Sequence, residues 1–381
     1  MKFLFASDSF KGTLTSQQII RLLNASANRI FPGCETNGVA VADGGEGTVD
    51  AVIAATRGEI RKVPVHGPLM EETTATYGVF GGDSAIIEMA AASGLPMVPA
   101  DRRNPLNTTT YGTGELIKDA LDQGLRRLSI AIGGSATNDG GMGAMTALGI
   151  RFLDAEGQVL SGAGSDLGRV ATIDVSGLHP AVAQAEITVM CDVTNPLTGP
   201  DGATYTFGKQ KGGTPEILDR MEADMKHYAA VVRETLGRDV DAIPGAGAAG
   251  GLGAALCGFL HANLKSGIET VLDLIDFDGL LEGVDLVITG EGRIDWQSAF
   301  GKVPSGIGMR CKRKGIPAVA IVGGMGNGAD KIYEFGVESI IPTINGAMEI
   351  EEALDRAEEL YANAADRLFR LVKVGKELSG I

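Results

Sequence analysis

The sequence predicts an α/β protein: a parallel sheet assembled from both ends of the chain, with a mixed α/β domain inserted between them. Three observations carry this reading. Apolar runs that lead into polar glycine loops and then into helical spacing recur at both ends, as in KFLFA at 2–6 and VDLVITGEGRID at 284–295; such units build parallel sheets covered on both faces. The middle breaks this rhythm, because TTATYGVF (73–80) and SAIIEMA (84–90) flank GGD as a hairpin would. The length of 381 residues exceeds one ordinary core and favours roughly two domains.

The elements follow in order. After the strand at 2–6, TSQQIIRLLNASANRIF carries Ile19, Leu22, Leu23, Ala27 and Ile30 on one helical face; Thr15 and Gln18 form a capping box and Pro32-Gly33 a stop. Residues 36–56 repeat the plan, with a helix ending near Gly58. Beyond the hairpin come a helix at 113–123 and strands at 127–132 and 186–191. The helix at 214–237 has Thr214 as cap, Pro215 first and Gly237 as stop. PAVAIVGGMGNGADKIYEFG (317–336) is another strand and loop, VESIIPTI (337–344) a last strand, and 349–379 a long amphipathic helix interrupted near Gly375. The domain boundaries implied are 1–68 with 267–381, and 69–266.

Composition narrows the function. Glycine, 55 of 381 residues, is about 14 %, roughly twice ordinary usage, without a Gly-X-Y period. Glycine at this density allows tight turns and close backbone approach to ligands. A net charge of −15 argues against nucleic acid or an anionic membrane as partner. Cys34, Cys191, Cys257 and Cys311 form no C-x-x-C pair, which disfavours zinc or a disulfide framework. MKFLFASDSF is too short in apolar residues for a signal peptide, and 246–260 is too short and glycine-rich for a membrane span. A cytoplasmic protein is expected.

Ligands of open parallel sheets bind beyond the carboxyl ends of the strands. SDSFKG, ADGGEGT, TGEGRIDWQ (289–297) and GGMGNG follow strands of the split domain; AIGGSATNDGG and CDVTNPLTG follow strands of the insert. Backbone amides mixed with carboxylates and a few cations (Lys11, Lys209, Lys211, Arg293, Lys302) suit phosphates with a divalent cation, hence phosphoryl transfer. Any one such loop can be a plain turn, Asp8, Asp43 or Ser135 a helix cap, and Lys211 a solvated surface residue. Known nucleotide signatures fail: Val303 follows Gly301-Lys302 where a P-loop needs Ser or Thr, and GAGAAG (245–250) follows Pro244 rather than a strand. GGSAT lacks the final glycine of a hydrolase elbow. The four histidines sit in no motif.

Taken together the loops resemble the bacterial type I glycerate kinases along essentially the whole chain. The carriers are DSFKG (8–12), ADGGEGT (42–48), EMAAASGL (88–95), TTTYGTGELI (108–117), IGGSATNDGG (132–141), CDVTNPL (191–197), PGAGAAGGLGAAL (244–256), TGEGRID (289–295) and GKVPSGI (301–307). FGKQKGG (207–213) departs from the family at Lys209, where proline is usual. The resemblance implies ATP-dependent, Mg²⁺-assisted phosphorylation of D-glycerate to 2- or 3-phosphoglycerate. It also implies a flavodoxin-like domain made from both chain ends, an inserted α/β domain, and an active site in the cleft between them.

Chemistry then suggests roles. Arg293, a fork-shaped cation, with Lys302 would hold the glycerate carboxylate, and Asp295 and Asp8 its hydroxyls. Asp192 is expected as the base, oriented by Asn195, with Lys11 neutralising the transferred phosphoryl group. Gly133, Gly134, Ser135, Thr137 and Asn138 would cradle nucleotide phosphates. Asp139, Asp43, Glu46 and Glu291 are the expected Mg²⁺ carboxylates. A kinase of another small hydroxy acid and a non-catalytic nucleotide or anion sensor are the rival readings; self-association is left open.

Overall fold

The computed structural model describes residues 1–296 and 301–378, so the ends of the loop at 289–297 and of the helix at 349–379 lie outside the described residues. The chain divides into two compact units, 1–43 with 268–381, and 44–267.

In the first unit five parallel strands lie in the order Val337–Pro342, Ala318–Val322, Leu286–Thr289, Lys2–Ser7 and Glu35–Ala40. Numbered along the chain this is 2-1-3-4-5, the flavodoxin-like order, whose switch point lies between Lys2–Ser7 and Leu286–Thr289. Successive residues of Ala318–Val322 serve opposite faces. Ile321 joins Phe3 and Phe5 under helices Ser16–Ile30 and Ala357–Leu378, against Ile19, Leu23, Tyr361 and Phe369. Ala320 and Val322 join Ile294, Ala329 and Ile332 on the other side. That alternation is what a strand buried on both faces requires.

The capping box is present: the Gln18 amide donates to Thr15 Oγ1 at 3.2 Å, and the Thr15 amide to Gln18 Oε1 at 2.8 Å. The C-terminal helix is interrupted earlier than expected. It forms as Ile350–Asp355 and Ala357–Leu378, because Arg356 leaves helical geometry at φ −100°, while Gly375 stays helical.

The second unit holds a six-stranded sheet in the order Asn263–Lys265, Glu186–Met190, Arg127–Ala131, Ser84–Glu88, Glu72–Phe80 and Glu59–His66. The first four run parallel, and the last two join antiparallel. The expected hairpin is there, with Phe80 opposite Ser84 and Gly81 and Gly82 at positive φ. Glu59–His66 is a strand the spacing did not disclose, and it moves the first boundary to 43/44 from 68/69. It pairs with Glu72–Phe80 over its whole length, burying Val63 and Val65 with Ala75 and Tyr77. Helix Thr48–Thr56 also belongs here, because Gly78 leaves room for Ile53 against the sheet. GAGAAG has no strand before it and leads through a turn at Ala248–Gly251 into the fully buried helix Leu252–Leu260. Among the described residues no helix is long and apolar enough to cross a membrane.

Candidate active site

At the switch point of the first unit the chain opens a cavity of about 600 Å³. Its charged wall comes from the loops after Lys2–Ser7 and Leu286–Thr289, carrying Asp8, Lys11, Glu291 and Arg293, with Lys302 beside them. Buried Ser7 ties the two loops together: its hydroxyl donates to Gly290 O at 3.0 Å, and the Asp8 amide donates to the same oxygen at 3.0 Å. Phe10 and Leu14 close a tight turn that leaves Lys11 exposed near its tip. Arg293 starts a short strand, Arg293–Ile294, paired with Gly324–Met325, and its side chain is 72 % exposed. Asp295 Oδ2 lies 3.9 Å from its Nε.

Electrostatics distinguish the carboxylates. Asp8 is pushed up to about 6, first by burial and then by the Asp43 charge, although the Ser9 amide (2.7 Å), Lys11 and Lys302 pull the other way. Lys302 Nζ lies 3.2 Å from Asp43 Oδ2. Burial works against its ammonium, but Asp43, with Glu291 and Asp8, outweighs that and holds it above its ordinary value. A carboxylate near neutrality beside fixed cations is a pairing suited to moving a proton at an anionic substrate.

The chain is similar from end to end to proteins of one kind. The family model described as "Glycerate kinase family" matches residues 3–373. The chain is 45 % identical to a glycerate kinase of Bacillus subtilis, covering 99 % of each. It is 43 % identical to glycerate 2-kinase of Escherichia coli, covering 100 % of each. The crystal structure of a protein assigned as glycerate kinase 2 from Salmonella typhimurium LT2 superposes with a TM-score of 0.90 at 43 % identity, covering 99 % of both chains. The chain belongs to the glycerate kinase family. It is therefore an enzyme, a phosphotransferase.

In this glycerate kinase family member the expected site residues fall into two groups. Asp8, Lys11, Asp43, Glu291, Arg293, Asp295 and Lys302 all stand in the first unit, most of them on the cavity. Glu46, Gly133 to Asp139, Asp192 and Asn195 stand in the second. There Gly133 and Gly134 are exposed at the carboxyl end of Arg127–Ala131, with Gly44 and Gly45 next to Gly133. Exposed Asp192 accepts from the Gly267 amide at 3.0 Å, and Glu46 is exposed ahead of helix Thr48–Thr56. Asn195 braces its own loop, donating to Asp201 O at 2.7 Å.

The loop 131–149 needs correction. From Ser135 to Asp139 it is interior: Ser135, Thr137, Asn138 and Asp139 are buried, and only Gly133 and Gly134 before them are open to a ligand. Asp139 is not placed to hold a cation either. Its oxygens accept from the Thr110 amide and hydroxyl (both 2.7 Å) and the Gly141 and Gly143 amides (3.1 and 3.2 Å), and burial pushes its pKa upward. Asn138 Nδ2 donates to Thr204 Oγ1 at 3.1 Å. The glycines here serve packing. A methyl on Gly140, at φ +63°, would sit 2.5 Å from the Tyr228 ring.

Lys211 is no solvated residue: it is 1 % exposed and donates to Thr137 O at 2.6 Å. Burial pulls its ammonium down to about 7 against the attraction of Asp139. Lys209 opens the same short turn and is exposed. The signal that could have exposed Lys211 is its setting between glycines in a run leading to a capped helix; charge alone argued for the surface.

Proposed function

We propose that the enzyme transfers the γ-phosphoryl group of ATP to the 2-hydroxyl of D-glycerate, giving 2-phosphoglycerate. The observation that carries this reading is the Asp8 carboxylate, raised to about 6 on a cavity wall shared with Lys11, Arg293 and Lys302. Arg293 and Lys302 bind and orient the glycerate carboxylate, the guanidinium as a fork and the ammonium as a point charge. Asp8 accepts the proton of the attacking hydroxyl and so replaces Asp192 as the favoured base. Asp192 is left to position its loop through the Gly267 amide. Lys11, exposed near its turn, neutralises charge on the moving phosphoryl group.

Among the described residues no group of three or more His, Cys, Asp or Glu is gathered to hold a metal by itself. Mg²⁺ keeps several waters and takes one or two carboxylates with phosphate oxygens, and Asp43 and Glu291 fit that need. When bound, Mg²⁺ would offset charge on the phosphates. The family resemblance to the Escherichia coli glycerate 2-kinase favours the 2-hydroxyl. The four unpaired thiols suit a reducing, cytoplasmic setting.

The test couples purified protein, ATP, Mg²⁺ and D-glycerate to enolase, pyruvate kinase and lactate dehydrogenase, with and without phosphoglycerate mutase. NADH loss without mutase means 2-phosphoglycerate. NADH loss only with mutase means 3-phosphoglycerate and overturns the regiochemistry, and no loss in either overturns the substrate.

A further inference from the structure

The cavity has a second wall that glycerate leaves unused. Ile350, Ala353 and Leu354 line it at i, i+3 and i+4 on helix Ile350–Asp355, joined by Ala357 at the start of the next helix. Such spacing ordinarily marks a face packed on a core, and the helix that follows obeys this, burying Leu360, Tyr361, Ala364 and Leu368. Yet Ile350 is 70 % and Leu354 51 % exposed. Met325, at the end of strand Gly324–Met325, and Ile344, in the loop after Val337–Pro342, stand on the same cavity and are 50 % and 40 % exposed. Apolar side chains from separate elements facing one cavity, with cations on its other wall, match a ligand that is flat and apolar at one end and anionic at the other. A three-carbon hydroxy acid has no such end. A nucleoside triphosphate does.

We propose that the wall formed by Met325, Ile344, Ile350 and Leu354 binds the base of the donor nucleotide, with the phosphates directed to Lys11 and the glycerate left to Arg293 and Lys302. This rests on the kinase reading above and deepens it by placing the nucleotide in the first unit rather than on the Gly133–Ser135 loop. The base gains by covering exposed apolar area, and the cationic wall fixes the polarity of the bound nucleotide. Other occupants of an exposed apolar face, a second copy of the chain above all, become outcomes of the test.

The experiment compares the full chain with Ile350→Gln/Leu354→Gln by titration calorimetry against ADP and tripolyphosphate, with sedimentation velocity alongside. Both positions are largely exposed, so the fold should persist; Met325→Gln repeats the test from another element. The expected result is an ADP Kd raised about tenfold in the double variant, tripolyphosphate Kd within about twofold, and unchanged sedimentation. Unchanged ADP affinity in all variants, while the parent binds ADP, overturns the assignment and leaves the kinase reading standing. Equal weakening of ADP and tripolyphosphate also overturns it, since no base-specific contact was lost. A drop in mass with ADP affinity intact overturns it in favour of a self-association face. A parent that binds no ADP removes the kinase reading as well.

Discussion

Replacing Asp8 by Asn is expected to raise stability while removing activity. The amide keeps the size of the carboxylate and an acceptor for the Ser9 amide at 2.7 Å. It lacks the charge that burial and Asp43 disfavour. Asp8 titrates at about 6 in the folded protein against 3.8 ordinarily, so the folded state binds the proton more tightly. The stability this contributes is fully present below about pH 4 and is lost as pH rises through about 6. The shift is close to two pKa units, or about 3 kcal/mol at ~1.4 kcal/mol per unit. The new amide nitrogen must find a partner in a largely buried spot, which takes back about 1 kcal/mol. The variant should therefore be about 2 kcal/mol more stable at pH 8, a gain that fades by about pH 4. Urea unfolding at pH 8, 6 and 4.5 measures this, and the coupled assay should show kcat/KM down roughly 10²- to 10⁴-fold. The acid limb of the parent's kcat/KM profile should fall near pH 6. A variant less stable at pH 8, or a difference flat across pH, would refute the reasoning. Asp192→Asn, by contrast, should keep kcat within about tenfold.

Three further outcomes follow from the same geometry. Lys211→Met removes the donor to Thr137 O and the cation near buried Asp139, and should lower unfolding free energy by about 2–4 kcal/mol; a loss under about 1 kcal/mol in urea would contradict the buried role. Arg293→Ala should raise the KM for D-glycerate about 10- to 100-fold through loss of a charge-assisted fork. Because that side chain is 72 % exposed, the melting temperature should hold. Gly140→Ala forces a methyl against Tyr228 at positive φ and should cost about 1–3 kcal/mol, read by thermal unfolding.

The fold was largely legible because its signals are local. The apolar run at 2–6, the Thr15–Gln18 box and the Gly237 stop each act within a few residues, and the structure uses all three. Glu59–His66 was not legible. EIRKVPVH mixes charges and a proline, and it becomes a strand at the sheet edge only because Glu72–Phe80 offers it a partner. That pairing, together with helix Thr48–Thr56 packed on the same sheet, and not any break in composition, puts the boundary at 43/44.

The site was legible in its residue types and illegible in its burial. SDSFKG and TGEGRID look like GGSATND on paper: glycines, an acid, small polar side chains. The first two meet at the switch point of the sheet, where the strand order reverses and their loops part, so Asp8, Glu291 and Arg293 face a cavity. The third follows a strand inside a sheet without such a reversal, and its second half turns inward. Asp139 is then satisfied by Thr110 and two glycine amides, and a cation could take it only by breaking those bonds. Polar residues in a glycine loop thus describe two opposite situations, a backbone opened to a ligand and a backbone packed so closely that only its own side chains can satisfy it. Packing decides between them even within one loop: Gly133 and Gly134 stay open, whereas Gly140 lies against Tyr228.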